Sequence, residues 1–201
     1  MELSINSWIH FGKNASKNGE PFFAEEYAQM KQPQELYRAL SYNYMKFFKM
    51  DVLCKWAWLG AEALLNNTDY SLYEGMDMSK VGVVLVTSSG CIDVDKKYEE
   101  SRGEIPSPAL FVYTLPNIML GEVCIRHGFK GEQLCLVSEK FDAEEIHFWV
   151  NDLFEYKGME ACLCGWADAY DEHKDICFFW VTKDKGVTAF TQENLTTLYN
   201  K

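Results

Sequence analysis

The sequence predicts an α/β protein with a mixed, mainly parallel sheet of five strands and helices on both faces of that sheet. The first observation is a continuous β-branched run at 81–86, which is typical of a strand buried on both faces. The second is that segments with helical spacing separate such apolar runs along the chain. The third is a pair of apolar runs, 161–165 and 176–181, with no helix between them, which predicts a hairpin. Together they predict the order β-α-β-α-β-α-β-β.

The first third of the chain predicts one strand, one loop and one long helical region. Residues 3–10 alternate well enough for a first or edge strand. Residues 11–34 are polar and contain glycines and prolines, which is typical of a loop. Helical spacing runs from 35 to about 65, with Asp51 as the predicted N-cap of its second half. One stripe of this half predicts core packing: Leu53, Trp56, Ala57, Gly60, Ala61 and Leu64.

The remaining elements follow in the same manner. A solvated helix is predicted over 92–102, and a buried strand over 134–137. Asp142 caps the next predicted helix, which Gly158 ends. Residues 187–190 could add a short strand to these five, and residues 191–201 predict a terminal helix.

Composition excludes several classes of function. The chain has 201 residues, which fits one domain. Its net charge of -11 disfavours nucleic acid and anionic membranes as partners. No apolar run approaches the ~20 residues of a membrane span. Its 7 cysteines are irregularly spaced, which favours free thiols in the reducing cytoplasm over a disulfide framework.

The stretch from Pro106 to Asp142 joins a proline-bounded loop, a mostly apolar segment, a glycine turn, a short strand and a helix start. Within it, Leu115-Pro116-Asn117 precedes the segment 121–126, GEVCIR, and Gly128-Phe-Lys-Gly131 forms the turn. With the run 161–169, ACLCGWADA, these segments resemble the N-terminal half of a β-ketoacyl synthase of the thiolase-like superfamily. The resemblance covers roughly residues 35–170. It implies one synthase-type N-terminal domain over 1–201, with the family's C-terminal half absent.

The resemblance also implies that the catalytic groups are missing. The family places its acyl-accepting cysteine at a helix N-terminus, where the helix dipole lowers the thiol pKa. Gap-free pairing puts Lys140 at that position, between Glu139 and Phe141. None of the four histidines falls where the family has its catalytic pair. We therefore expect no catalytic residue, no metal and no cofactor.

Other reactive side chains have simpler interpretations. Cys135, Cys162 and Cys164 lie in predicted buried strands and are expected to be core residues. Residues 87–90, TSSG, lack the glycine density and the lysine of a phosphate-binding loop, so we expect an ordinary loop. His127, near a helix end, is expected to be a cap or a surface contact.

Three functions remain open at this point. By resemblance, the first is a non-catalytic partner of a ketosynthase, like the family's chain-length factors, in a homodimer, a heterodimer or a complex with a separate C-terminal half. Its candidate interface residues are Pro116, Asn117, Arg126, Phe148, Trp149 and Phe154. The second is a minimal acyltransferase completed by a partner chain. The third is a module that docks acyl carrier protein through basic residues, either Lys46, Lys49 and Lys55 or Arg126 and Lys130.

Overall fold

The computed structural model describes residues 2–12, 15–22, 25–66, 70–101 and 107–201. One sheet contains all eight described strands, and helices cover both of its faces, as the sequence predicts. The strands are β1 (Ser4–Phe11), β2 (Ala15–Lys17), β3 (Glu20–Pro21), β4 (Val81–Thr87), β5 (Gln133–Val137), β6 (Ala161–Tyr170), β7 (His173–Thr182) and β8 (Thr188–Ala189). The helices are α1 (Glu25–Ala28), α2 (Pro33–Ala39), α3 (Val52–Leu65), α4 (Ile92–Glu100), α5 (Pro108–Tyr113), α6 (Ile118–His127), α7 (Ala143–Tyr156) and α8 (Gln192–Tyr199).

The sheet is mixed, and the prediction of a mainly parallel sheet is wrong. Its order is β3-β2-β1-β7-β6-β4-β5, with β8 also paired to β1. Of the pairs between described strands, only β4–β5 and β4–β6 are parallel. The predicted hairpin of β6 and β7 is confirmed, and it reverses the chain so that β1 pairs antiparallel with β7. Because β1, β6, β4 and β5 all run in one direction, their carboxyl ends meet at one edge of the sheet.

The predicted count of five strands is also wrong. Two of the three additional strands, β2 and β3, lie in the segment 11–34 that was predicted to be loop, and a helical turn, α1, follows them. These elements have two to four residues each, too few to show a period of their own. The predicted strand at 187–190 and helix at 191–201 correspond to β8 and α8.

The helical region at 35–65 is divided. Residue Ser41 has a φ of 55, and a 3-10 turn over Met45–Lys49 separates α2 from α3. Asp51 caps α3 as predicted, because its side chain accepts a hydrogen bond from the Cys54 N–H at 2.9 Å. Every residue of α3 from Leu53 to Leu65 is buried, so this helix is covered all round rather than along one stripe.

Two hydrophobic clusters fill the space on either side of the sheet. One cluster joins α2, α3 and α6 to one face of the sheet, and Trp56, Trp58 and Trp180 are among its fully buried side chains. The other joins α7 and α8 to the opposite face through residues such as Ile146 and Phe179. Helix α7 is capped by Asp142 and ends at Gly158, where φ is +69. The predicted helix end at residue 102 and the loop start at Pro106 lie outside the described residues.

Strand β5 differs from its neighbour. All seven residues of β4 are buried, whereas none of the five residues of β5 is. The prediction of a buried strand at 134–137 is therefore wrong, since β5 stands at the end of the sheet and has one strand neighbour.

Candidate functional site

The candidate site lies at the edge of the sheet where β4, β5 and β6 end. Three segments meet there: the loop 87–90 after β4, residues 138–142 after β5, and Asp168 near the end of β6. The Ser138 N–H donates to the Thr87 carbonyl at 3.0 Å, and the Ser88 hydroxyl donates to the Glu139 carbonyl at 3.4 Å. The segment with the predicted nucleophile position is thus held against the loop after β4.

Lys140 is exposed in the connection between β5 and α7. The N-terminus of α7 is occupied by Asp142, whose carboxylate accepts a hydrogen bond from the Glu145 N–H at 3.0 Å. Glu144 and Glu145 add acidic charge in the first turn. The helix end therefore already has its own anions, which complement the positive end of the helix dipole.

Phe141 fills the space beside Lys140. Its ring stacks on Tyr199 of α8, with 4.0 Å between the ring centroids, and lies at 6.5 Å from the ring of Phe179. An acyl chain would have to displace this stack to pass between the connection and α8.

The loop 87–90 binds the carboxylate of Asp168. The Ser88 and Ser89 N–H groups donate to Asp168 Oδ1 at 3.1 and 2.7 Å. The Thr87 hydroxyl donates to the same oxygen at 3.2 Å, and the Ser89 hydroxyl donates to Oδ2 at 3.1 Å. Successive N–H groups of this kind form an anion-binding concavity. In this chain the concavity is filled by a buried side chain of its own.

The cysteines lack the features of an activated nucleophile. Burial raises the pKa of Cys135 to about 11, and burial raises the pKa of Cys91 and of Cys124 to about 12. All seven are free, and six are buried. Reactive cysteines need a lowered thiol pKa and access. Cys135 packs against the core but is only half-buried, so the expectation of a buried core residue holds for Cys162 and Cys164 and only in part for Cys135.

Arg126, a predicted interface residue, has strong partners within the chain. It forms a bidentate ion pair with Glu62 of α3, with N–O distances of 2.8 and 2.5 Å. Its guanidinium also lies over the rings of Tyr44 and Trp58, at 5.2 and 5.6 Å from their centroids. His127, predicted to be a cap or surface contact, is buried, and its Nδ1 lies 3.1 Å from the Tyr73 hydroxyl.

The other predicted interface residues differ in exposure. Phe148 is 60% exposed and Trp149 is half-buried beside it, with their rings edge to face at 5.1 Å. Phe154 is only 3% exposed and packs in the core under α7. Pro116 and Asn117 lie at the corner between α5 and α6, half-buried and exposed respectively. Their assignment to an interface stays a prediction.

The proposed basic residues are mostly engaged by other groups. Lys46 pairs with Glu122 at 2.7 Å, and Lys55 is buried on α3. Lys49 and Lys130 are exposed. Among the described residues, no group of three or more His, Cys, Asp or Glu side chains is placed to hold a metal ion. No helix in the same part of the chain is long and apolar enough to cross a membrane.

One pair of polar residues was missed by the sequence analysis. His10 at the end of β1 and Asp175 near the start of β7 lie at the same edge of the sheet, with 2.9 Å between Nε2 and Oδ1. They are 165 positions apart, and no local motif contains both.

Comparison with solved structures shows the class of fold. The chain is similar to the ishigamide ketosynthase/chain length factor, with a TM-score of 0.66 and 14% identity over 91% of this chain. It is similar to a chain of the ketosynthase ApeO in complex with its chain length factor ApeC from Xenorhabdus doucetiae, with a TM-score of 0.61, 10% identity and full coverage of this chain. A third match is a complex of a type II PKS acyl-carrier protein with its ketosynthase bound to the hexaketide, AntDE:AntF, with a TM-score of 0.61 and 12% identity over 90% of this chain.

The fold is therefore that of ketosynthase and chain-length-factor chains. The chain spans 62% of the matched ishigamide and AntDE:AntF chains, and 91% of the matched chain of the ApeO–ApeC complex. No family model and no curated protein matches the sequence.

Proposed function

We propose that this chain is a non-catalytic, chain-length-factor-like subunit that pairs with a ketosynthase in polyketide- or fatty-acid-type biosynthesis. The observation that carries the proposal is the incomplete burial of β5. This apolar strand is the last in the sheet, and none of its residues is buried. An apolar edge strand favours pairing with another chain unless something covers it. Matches to ketosynthase/chain-length-factor complexes support a ketosynthase as the covering partner.

Apolar side chains are exposed or partly buried on both faces of the sheet at β5. Val137 is 67% exposed at the end of the strand, and Ile125 of α6 is 64% exposed. A shallow hollow of about 390 Å³ lies between α6 and the start of β5, lined in part by Cys124, Ile125 and Phe129. On the opposite face of the sheet, Leu134, Leu136 and Trp149 are only partly buried. Groups of exposed and half-buried apolar side chains of this kind mark protein interfaces.

The same site supports the absence of catalysis. If Lys140 stands at the nucleophile position, as the resemblance implies, that position has an exposed amine where the family has a thiol. Phe141 fills the adjacent space and Asp168 occupies the N–H groups of the neighbouring loop. The proposal includes residues 1–201 as one ketosynthase N-terminal-like domain. It also includes the cytoplasm as compartment, which the seven free thiols support.

The test compares Val137→Lys with Val187→Lys in binding to a recombinant ketosynthase from the native host. Val137 and Val187 are 67% and 63% exposed, so the two substitutions change charge and shape equally at the surface. We expect Val137→Lys to weaken the complex about tenfold or more, because it puts a charge at an apolar contact. Val187→Lys, on the far side of the sheet beside β8, should bind as the wild type does.

Size-exclusion chromatography with light scattering measures the assemblies. A one-to-one complex that Val137→Lys disrupts and Val187→Lys preserves supports the proposal. A homodimer that excludes every ketosynthase of the host, or a chain that stays monomeric in their presence, would contradict it.

Contact with an acyl carrier protein is a separate part of the proposal. One matched structure contains an acyl-carrier protein bound to its ketosynthase. Lys46 and Arg126 are paired with Glu122 and Glu62, and Lys55 is buried. We therefore propose the exposed Lys49 and Lys130 for such contact.

A further inference from the structure

A cleft of about 670 Å³ opens at the carboxyl end of β1, beside the candidate site. Its lining includes His10, Ser16, Asp175 and Tyr199 from β1, β2, β7 and α8. Tyr199 lines this cleft, whereas its stacking partner Phe141 lines the groove at Lys140. The cleft is therefore a second concavity at the same edge of the sheet.

Asp175 holds His10 in one position. His10 Nε2 lies 2.9 Å from Asp175 Oδ1, and the Tyr199 hydroxyl donates to Oδ2 at 2.5 Å. The rings of His10 and Tyr199 also stack, with 5.4 Å between their centroids. The side chains of His10 and Asp175 are 19% and 20% exposed. Both carboxylate oxygens are thus satisfied within the protein, and the imidazole is fixed on two sides.

The partners of Asp175 favour its charged form. Burial raises the pKa of Asp175, but hydrogen bonds with His10 and Tyr199 outweigh burial and hold that pKa below its usual value. The carboxylate is ionised near neutral pH, and its contact with Nε2 fixes the orientation of the imidazole. Because Asp175 engages Nε2, the other ring nitrogen, Nδ1, is the one left for a ligand.

Ser16 places a hydroxyl next to this imidazole. In the antiparallel pairing of β1 and β2, Ser16 lies directly opposite His10, so both side chains are on one face of the sheet. The main chain is also close: a Cβ added at Gly12 would lie 3.0 Å from His10 Nε2. Three neighbouring strands therefore bring Ser16, His10 and Asp175 together on one face of the sheet.

The acidic side chains around the cleft are paired, and the basic ones that remain favour the binding of anions. Glu172 pairs with Lys31 at 2.5 Å, and Asp175 is bound by His10 and Tyr199. The remaining basic residues of the lining are His173, Lys174 and Lys201. His173 Nε2 lies 3.7 Å from Asp168 Oδ2, and the Lys174 ammonium donates to the Met30 carbonyl. The chain as a whole has a net charge of -11, so this group of basic side chains differs from the rest of the molecule.

We propose that the cleft binds an oxyanion, the carboxylate or phosphate group of a small ligand, through His10 and Ser16. Asp175 and Tyr199 are positioning residues, because they act on the ligand through the imidazole. This site is independent of the partner surface at β5, so either proposal can fail without the other.

Binding of inorganic phosphate and of acetate near pH 6 tests the proposal on the full chain. We follow the imidazole ¹⁵N resonances of His10 by NMR at an ionic strength kept constant with sodium chloride. Either anion should shift these resonances saturably, and the two arms separate phosphate ligands from carboxylate ligands. Loss of the charge-assisted hydrogen bond in His10→Asn should weaken binding about tenfold or more, measured by calorimetry.

Two further variants keep the test decisive. Ser16→Ala removes one hydroxyl from a short, half-exposed strand and should weaken binding severalfold while the fold stays intact by circular dichroism. His147→Asn makes the same histidine change on α7, where the ring stacks on Phe190 outside the cleft, and should leave binding unchanged. Linear shifts without saturation for both anions, or equal losses in His10→Asn and His147→Asn, would overturn the proposal.

Discussion

Three side chains, two of them from the segment 138–142, close the candidate site. The Phe141 ring packs on Tyr199, the Asp168 carboxylate occupies the N–H groups of the loop after β4, and Asp142 caps α7. Each of these contacts stabilises the folded chain, and each also removes a group that an acyl-transfer site would use. Conversion of Lys140 to cysteine alone would therefore leave the thiol without space for an acyl chain.

His127 is a second residue whose setting has a measurable consequence. Burial lowers its pKa to about 4, with Glu62 opposing and Arg126 adding to this shift. The unfolded chain protonates this histidine near pH 6.5, whereas the folded chain does not. Stability is thus fully present above pH 6.5 and falls as the pH drops toward 4.

We expect His127→Gln to reduce this acid sensitivity. Between pH 7 and pH 4.5 the free energy of unfolding of the wild type should fall by up to about 3 kcal/mol more than that of the variant. Urea titrations at each pH provide the measurement, and His147→Gln on the half-buried face of α7 is the control. Parallel pH profiles for wild type and His127→Gln would show that the buried imidazole is protonated in the folded state.

At the scale of elements, Gly165 and Gly121 differ in whether a side chain would fit at their positions. Both lie in segments that carry the family resemblance. Gly165 in the middle of β6 has a φ of +145, and a Cβ there would lie 2.1 Å from the Cys177 carbonyl oxygen of β7. Gly121 lies inside α6, where an added Cβ meets no atom within 4 Å among the described residues. The hairpin therefore needs its glycine, whereas α6 does not.

Alanine at each position tests this difference. Gly165→Ala should lower the free energy of unfolding by about 3 kcal/mol or more, since both the backbone conformation and the space exclude a Cβ. Gly121→Ala should raise it by about 0.5–1 kcal/mol, the usual gain in a helix interior. Thermal and urea unfolding of both variants measure the two signs. Equal small effects would contradict the close approach of β6 and β7.

The elements also show which parts of the fold were predictable. The helix caps at Asp51 and Asp142 depend on contacts three residues away, so local sequence is sufficient to predict them. The direction of β1 depends on pairing with β7, whose residues are more than 160 positions distant, and helical spacing says nothing about it. The incomplete burial of β5 follows from its place at the end of the sheet. An apolar run has the same pattern in the centre and at the edge.

The site shows the same limit. The resemblance predicts a site at Lys140 and its neighbours, which are contiguous in sequence. The contact between Asp168 and Ser89 spans 79 positions, and the pair of His10 and Asp175 spans 165. Such contacts are created by strand order, which only the folded chain reveals.

For the whole molecule, the burial of side chains shows which residues form the core and which stay exposed at the surface. Six of the seven cysteines and all the largest aromatic residues of α3 are inside, so the chain forms its own core on both sides of the sheet. Ile125, Val137 and Phe148 are exposed apolar side chains on α6, β5 and the outer face of α7, and others, such as Met45 and Val187, are exposed elsewhere on the chain. The chain therefore encloses most of its thiols in its own core, and the surface at β5 is one of several places where apolar side chains are exposed.

This arrangement predicts that the native chain accepts no acyl group. Burial raises the pKa of Cys135, the most accessible thiol, to about 11, so about one molecule in ten thousand has it ionised at pH 7. Intact mass spectrometry after incubation with a small acyl thioester, alone and with the ketosynthase partner, should show no adduct on this chain.

Iodoacetamide should react slowly with the native protein and label all 7 cysteines after denaturation. A rapid, single acylation of the native chain, on Cys135 or on Lys140, would instead make it the active acyltransferase that the sequence left open.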